Sequence, residues 1–241
     1  MSNAKIRLHL DQPLGPGQSV TLTEPQAHYL FGVMRQEIGA PVLVFNGRDG
    51  EWRAEVAEVG RRAGRLVCRA LTRAQVSVPD LWLVFAPLKK ARTDFVVEKA
   101  VELGAASIRP VQTDFTNADR VRTDRLAAHA TEAAEQCGAL AVPEVRDLVT
   151  LDRLLSGWDA RRRILWADES RIGPAGVLAA AAPGPWAILI GPEGGFSERE
   201  RARLSELPFV TPISLGPRIL RAETAAVAAL VLWQSALGDW R

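Results

Sequence analysis

Two short segments in the C-terminal half hold the residue types from which a ligand site can be made. The first is Gly191-Pro-Glu-Gly-Gly195-Phe-Ser197, entered directly from the apolar run Trp186-Ala-Ile-Leu-Ile190. Glycines at this density let a backbone approach a ligand closely. Glu193 stands among them, where a phosphate cradle would avoid a carboxylate, and the Gly-Lys-Ser/Thr of a triphosphate loop is missing. The loop therefore suits a neutral or cationic ligand group. Ser197 followed by Glu200 is a capping box, so a helix starts there. The second segment is Leu215-Gly-Pro-Arg218-Ile-Leu-Arg221-Ala-Glu223-Thr224. It reads as a strand end, then two arginines and two apolar residues opening a helix. Glu223 falls in the first helical turn, where negative charge is favourable. Arg218 and Arg221 could hold a substrate phosphate or base. Either segment alone is as readily a structural turn. Two of them in consecutive strand–helix units, where open α/β sheets bind ligands, favour a site.

These segments need a sheet to hold them. From about Asp80 onward, short apolar runs alternate with helical patterns. Leu81 to Ala86, Ile108 to Val111, Ile164 to Ala167, Trp186 to Ile190 and Val210 to Ser214 are the expected strands. Thr93 to Leu103, stopped by Gly104, and Arg122 to Cys137, stopped by Gly138, are expected helices. A further helix is expected over Glu223 to Leu237, and Ala179 to Ala182 reads as a helix end. The alternation implies a mainly parallel α/β sheet. Residues 1–73 differ. Lys5 to Leu10, Val42 to Phe45, Trp52 to Val59 and Leu66 to Leu71 read as strands, and Asn46-Gly-Arg-Asp-Gly50 as a hairpin turn. A helix capped by Thr23 and Gln26 is expected to end near Arg35. That pattern suggests a small β-barrel, with residues 74–241 forming the α/β domain.

Composition bounds the alternatives. The chain has 241 residues, 47% hydrophobic and 24% charged, which is an ordinary globular balance. Two cysteines and three histidines argue against a disulfide framework or a dedicated metal site. The longest apolar stretch is broken by Pro183-Gly-Pro185, so no membrane span is expected, and no leader pattern opens the chain. A cytoplasmic protein is the expectation. Residues 1–73 carry ten Lys/Arg against seven Asp/Glu, a weak hint of a polyanion partner.

Leu189-Ile-Gly-Pro-Glu-Gly-Gly-Phe-Ser197 followed by Leu215-Gly-Pro-Arg-Ile-Leu-Arg-Ala-Glu-Thr-Ala225 resembles the RsmE family of 16S ribosomal RNA uridine N3-methyltransferases. Leu88-Lys-Lys90, Glu98 to Gly104, Glu132 to Cys137 and Val142-Pro-Glu144 agree with the same family. So do Arg7-Leu-His9, His28 to Leu30, Met34-Arg35 and Phe45 to Gly50. The resemblance covers nearly the whole chain. It departs at Ala139, where the family has Arg, and at Gly39-Ala40, where the family has Gly-Asp.

The resemblance implies a C-terminal SPOUT α/β trefoil-knot domain, an N-terminal PUA-like barrel, and an obligate homodimer formed partly by the last helix. It implies S-adenosylmethionine as cofactor, held by Leu189, Ile190, Gly191, Glu193, Gly194, Gly195, Leu215, Gly216, Ile219 and Leu220. The substrate would be one uridine in the decoding region of 16S ribosomal RNA within the small subunit. From position alone, Arg221 is the candidate for stabilising the uracil anion or positioning a base, and Glu223 is a candidate base. Arg7, Arg35, Lys89, Lys90 and Arg92 would contact RNA phosphates. No metal and no membrane are implied. Two alternatives stand beside this. One is a SPOUT methyltransferase with another RNA acceptor; the other is a non-catalytic RNA-binding ribosome-assembly protein that kept the fold.

Overall fold

A computed structural model of the chain describes residues 4–118, 120–168, 178 and 181–240. Contacts divide them into two units: residues to Ser77 with Ala134–Val142, and Val78–Ala133 with Pro143 onward. The run Ala179–Ala182, read as a helix end, lies partly outside the described residues.

The first unit is a bent five-stranded sheet. Its strands are β1 (Arg7–His9), β2 (Ser19–Thr21), β3 (Pro41–Phe45), β4 (Glu51–Val59) and β5 (Gly64–Arg73), in the order β1-β3-β4-β5-β2. Only β1 and β3 pair in parallel. Alternation sets the inward face, where Leu8, Val20, Val42, Val44, Ala54, Val56, Leu66 and Cys68 share one core. Three register shifts between β4 and β5 bend the sheet. The Gln12 side chain then reaches β2, donating to the Thr21 carbonyl (2.7 Å) and accepting from its N–H (2.9 Å). At the hairpin, Asn46 Oδ1 accepts from the N–H groups of Arg48 and Asp49, which fixes the turn. Strand β2 is too short to stand out in the sequence.

Helix α1 (Glu24–Ala27) begins at the expected Thr23–Gln26 capping box. It then widens into a π-helical turn over His28–Val33, capped by Met34 and followed by Arg35, whose φ is +51°. The expected helix is therefore present, but its second half is wider than an α-helix. Gly32 accommodates this, since a Cβ there would stand 3.0 Å from the His28 ring.

The second unit is a parallel sheet with helices. In chain order it comprises β6 (Leu81–Phe85), α2 (Lys90–Glu102), β7 (Ser107–Gln112), α3 (Thr123–Cys137), β8 (Glu144–Val145), β9 (Val149–Thr150), α4 (Leu151–Ser156), β10 (Arg163–Ala167), β11 (Trp186–Ile190), α5 (Glu198–Glu206), β12 (Val210–Ile213) and α6 (Ala222–Leu237). The sheet order is β12-β10-β11-β6-β7-β8, with β9 also on β7, and every pairing is parallel. Central strands are buried on both faces, so they read as continuous apolar runs. Gly104 (φ +73°) and Gly138 (φ +82°) end α2 and α3 as expected. On α6, Leu230 and Trp233 are buried, and Lys99 on α2 pairs with Glu102.

Candidate active site

Strands β6 and β11 are neighbours, and the chain leaves them in opposite directions, from β6 to β7 on one side and from β11 past β10 to β12 on the other. Their carboxyl ends form a topological switch point, where parallel sheets open a crevice for ligands. The Ala86 N–H donates to the Ile190 carbonyl at 2.9 Å, so the two following loops leave side by side.

The loop after β11 is shaped first by the protein's own packing. Leu189 and Ile190 bury their side chains completely, and the Ile190 carbonyl is already taken by Ala86. Free backbone therefore begins at Gly191. A Cβ on Gly191 would meet the Phe196 ring at 2.7 Å, and one on Gly194 would meet Phe115 at 3.2 Å. Two of the three glycines thus make room for aromatic rings, while Gly195 (φ +68°) closes a turn onto the Pro192 carbonyl. The capping box then anchors the loop. Buried Glu200 accepts from the N–H groups of Ser197 and Asp114, both at 2.9 Å. The Ser197 hydroxyl donates to Asp114 at 2.5 Å, and that bond, with Arg199 beside it, holds the Asp114 carboxyl below its ordinary range.

The loop after β12 is more open. Gly216 has φ +111° with open space where a Cβ would be, a conformation that requires glycine. Leu215 and Leu220 are half-buried. Ile219 is 85% exposed, the most exposed large apolar side chain among the described residues. Arg218 is exposed, and Arg221 is an exposed N-cap of α6.

Arg92, on the first turns of α2, joins these loops. Its Nη1 lies 3.1 Å from Glu193 Oε1 and its Nε 3.5 Å from Glu223 Oε1. The other carboxylate oxygen of Glu223, Oε2, is buried and has no hydrogen-bond partner among the described residues. Burying such an oxygen unpaired is costly, so a ligand donor is the natural partner. Residues assigned separately to RNA (Arg92), cofactor (Glu193) and chemistry (Glu223) therefore meet at one place. An open glycine backbone, an exposed isoleucine and the nearby Glu193 carboxylate fit a cofactor with an apolar ring system and a cationic centre, which leaves the unpaired Glu223 oxygen for a second ligand.

Lys89, the N-cap of α2, and Lys90, its first residue, are exposed on a cleft of about 410 Å³ that also touches Glu193. Arg35 is exposed on the first unit. Arg7 departs from expectation. Its guanidinium bonds Glu51 (2.8 Å) and the carbonyls of Ala134, Glu135 and Ala139, and lies over the Phe45 ring. With its side chain 11% exposed, it is held as an internal strut of the first unit. Glu51, which the sequence did not single out, is the centre of that cluster; it also accepts from Thr72 and Arg73. Ala139, the departure from the family pattern, contributes through its carbonyl. Among the described residues no cluster of three or more His, Cys, Asp or Glu could hold a metal, and no helix is long and apolar enough to cross a membrane.

A parallel sheet with a ligand crevice at its switch point is the frame of an α/β enzyme. An RNA methyltransferase domain family matches residues 76–234, and an RNA methyltransferase PUA domain family matches residues 22–67. The ribosomal RNA small subunit methyltransferase E of Rickettsia conorii is 27% identical over 228 residues, covering 93% of both chains. The protein of that name from Mycobacterium bovis is 30% identical over 210 residues, covering 82% of this chain and 79% of its own. A crystal structure of the Neisseria gonorrhoeae ribosomal RNA small subunit methyltransferase E bound to S-adenosyl methionine superposes with a TM-score of 0.89 at 26% identity. The match covers 98% of this chain and 99% of that one. The chain belongs to the ribosomal RNA small subunit methyltransferase E family.

Proposed function

We propose that this enzyme transfers the methyl group of S-adenosylmethionine to N3 of one uridine in 16S ribosomal RNA, within the small ribosomal subunit. The observation that carries the mechanism is the meeting of Arg92, Glu193 and Glu223 at the sheet's switch point. The gonococcal relative, whose fold matches along the whole chain, contains that cofactor. When bound, the cofactor supplies an electrophilic methyl group on a positively charged sulfur. Backbone at Gly191, Gly194, Gly195 and Gly216 and the apolar surfaces of Leu215, Ile219 and Leu220 would hold it. Leu189 and Ile190 support this cradle from the core, and the carboxylate of Glu193 tolerates the positive charge.

Joining a methyl carbon to N3 releases the N3 proton. Glu223 Oε2, buried and unpaired, is placed to accept it, while Arg92 fixes the other oxygen of the same carboxylate. Arg221, exposed at the mouth of α6, stabilises negative charge building on the uracil. Arg35 on the PUA-like unit and Lys89 and Lys90 on the α2 loop contact the RNA backbone. On the same reading the C-terminal chain is knotted, the working unit is a cytoplasmic homodimer, and the RNA-binding and catalytic domains are residues 1–73 and 74–241.

The test is single-turnover methylation of small subunits from cells lacking this modification. Glu223→Gln should lose transfer and keep cofactor binding. Transfer at the wild-type rate would exclude Glu223 as the base.

A further inference from the structure

The cleft of about 410 Å³ lies between the start of α2 and the segment leading into α3. Among the described residues its walls carry five cations, Lys89, Lys90, Arg120, Arg122 and Arg125, against two acids, Asp94 and Glu193. Arg125 is neutralised by Asp94, and Arg122 pairs with Asp124 at 2.6 Å. Among the described residues Lys89, Lys90 and Arg120 have no ion-pair partner. The floor includes Pro87, Leu88 and Leu126, of which Leu88 is fixed by Thr93: the hydroxyl accepts from its N–H and donates to its carbonyl, both at 2.9 Å.

The placement of these cations runs against the isolated fold. Helix α2 has no acidic residue in its first turn and no side-chain cap, yet two lysines stand at its N-terminus. A helix dipole disfavours cations there and favours an anion. Three unpaired cations from two separate segments face one cavity large enough for a nucleotide. Glu193 closes the cleft on the side of the cofactor loop.

We infer that this cleft grips the phosphodiester backbone of the RNA next to the nucleotide being methylated, with Lys89, Lys90 and Arg120 as phosphate ligands. The inference rests on the RNA-methylating reading above and adds Arg120 and the cleft to it. Its apolar floor receives a ribose face, and its edge at Glu193 sets the strand against the transfer site.

The experiment measures methyl transfer to unmodified small subunits by wild type, Lys90→Gln, Arg120→Gln and the double variant, over a range of salt. Both side chains are exposed, and thermal unfolding checks that the variants fold. KM should rise about tenfold in the double variant, with kcat and calorimetric S-adenosylmethionine affinity unchanged. The salt dependence of kcat/KM should flatten by about 0.7 in log–log slope per cation removed. Arg120→Lys should retain most of the effect. Unchanged KM and salt slope would overturn the inference, even if inorganic phosphate binds the cleft. A fall in cofactor affinity would also overturn it, by making the cleft part of the cofactor site. Wild-type protein that transfers no methyl to any subunit RNA would refute the functional reading itself, and the inference with it.

Discussion

Gly191→Ala separates two reasons for a glycine in the loop after β11. The added Cβ would sit 2.7, 3.1 and 3.2 Å from three carbons of the Phe196 ring, and ordinary contact begins at 3.4 Å, so the worst overlap is about 0.7 Å. The ring cannot simply withdraw. Phe196 is 4% exposed, packed edge-on against Trp166 at 5.7 Å and surrounded by Leu204 and Leu189. The φ of Gly191 is not in the left-handed region, so the backbone itself accepts alanine. Overpacking of this kind costs about 1–3 kcal/mol. If the loop moves to relieve it, S-adenosylmethionine affinity falls by about 5- to 150-fold. Calorimetric titration of wild type, Gly191→Ala, Phe196→Leu and the double variant forms a complete cycle. The single glycine variant should bind weakly, and the double variant should recover most of the affinity because leucine leaves room for the Cβ. Full affinity in Gly191→Ala would refute the packing argument. A double variant as weak as Gly191→Ala would also refute it, by showing that the ligand, not Phe196, occupies that space.

Arg92→Ala should change stability by less than about 1 kcal/mol, since its ion pairs are partly exposed. It should nevertheless slow transfer at least tenfold, because Glu223 loses its partner; equal losses in unfolding temperature and rate would point to a folding role. Arg221→Ala should abolish turnover and leave cofactor binding largely intact, as measured by single-turnover kinetics beside calorimetry. Glu51→Gln should destabilise the first unit by about 3 kcal/mol, because it leaves two guanidinium groups without their carboxylate, although Arg73 is 44% exposed and so tempers the loss. Burial pushes the Glu51 carboxyl up, but bonds from Arg73, Arg7 and Thr72 outweigh it and leave the folded value below 4.5. A depressed carboxyl stabilises above its unfolded value and loses that contribution as pH falls through its folded value. The gap between wild type and Glu51→Gln should therefore be full near neutrality, and close below about pH 4.5 in denaturant titrations.

Much of the second unit could be read from residues. Its central strands are buried on both faces and α2 and α3 end at left-handed glycines, so run lengths and stop signals mark most of its elements; the short β8, β9 and α4 carry no such signal. The two loops stood out because Gly and Pro follow apolar runs directly. What they are for was harder to read. Gly191 and Gly194 serve Phe196 and Phe115, and the second partner lies on a loop distant in sequence. Arg7 looked like a surface cation because it alternates with inward residues of β1, yet Glu51 and three carbonyls enclose it. No local pattern announces a cluster whose members come from β1, β4, β5 and the end of α3. The cleft was invisible for the same reason. Arg120 and Arg122 precede α3 and Arg125 lies in its first turn, like any solvated run, and only the parallel pairing of β6 with β7 sets them facing Lys89 and Lys90.

The most direct test of the account is nucleoside mass analysis after transfer of labelled methyl from S-adenosylmethionine to small subunits lacking the native modification. Label should appear in 3-methyluridine from 16S RNA alone and be lost with Glu223→Gln. Label in a ribose methyl or in guanine would keep the fold and cofactor but contradict the acceptor. No label from a protein that binds S-adenosylmethionine would contradict the claim that this site methylates ribosomal RNA.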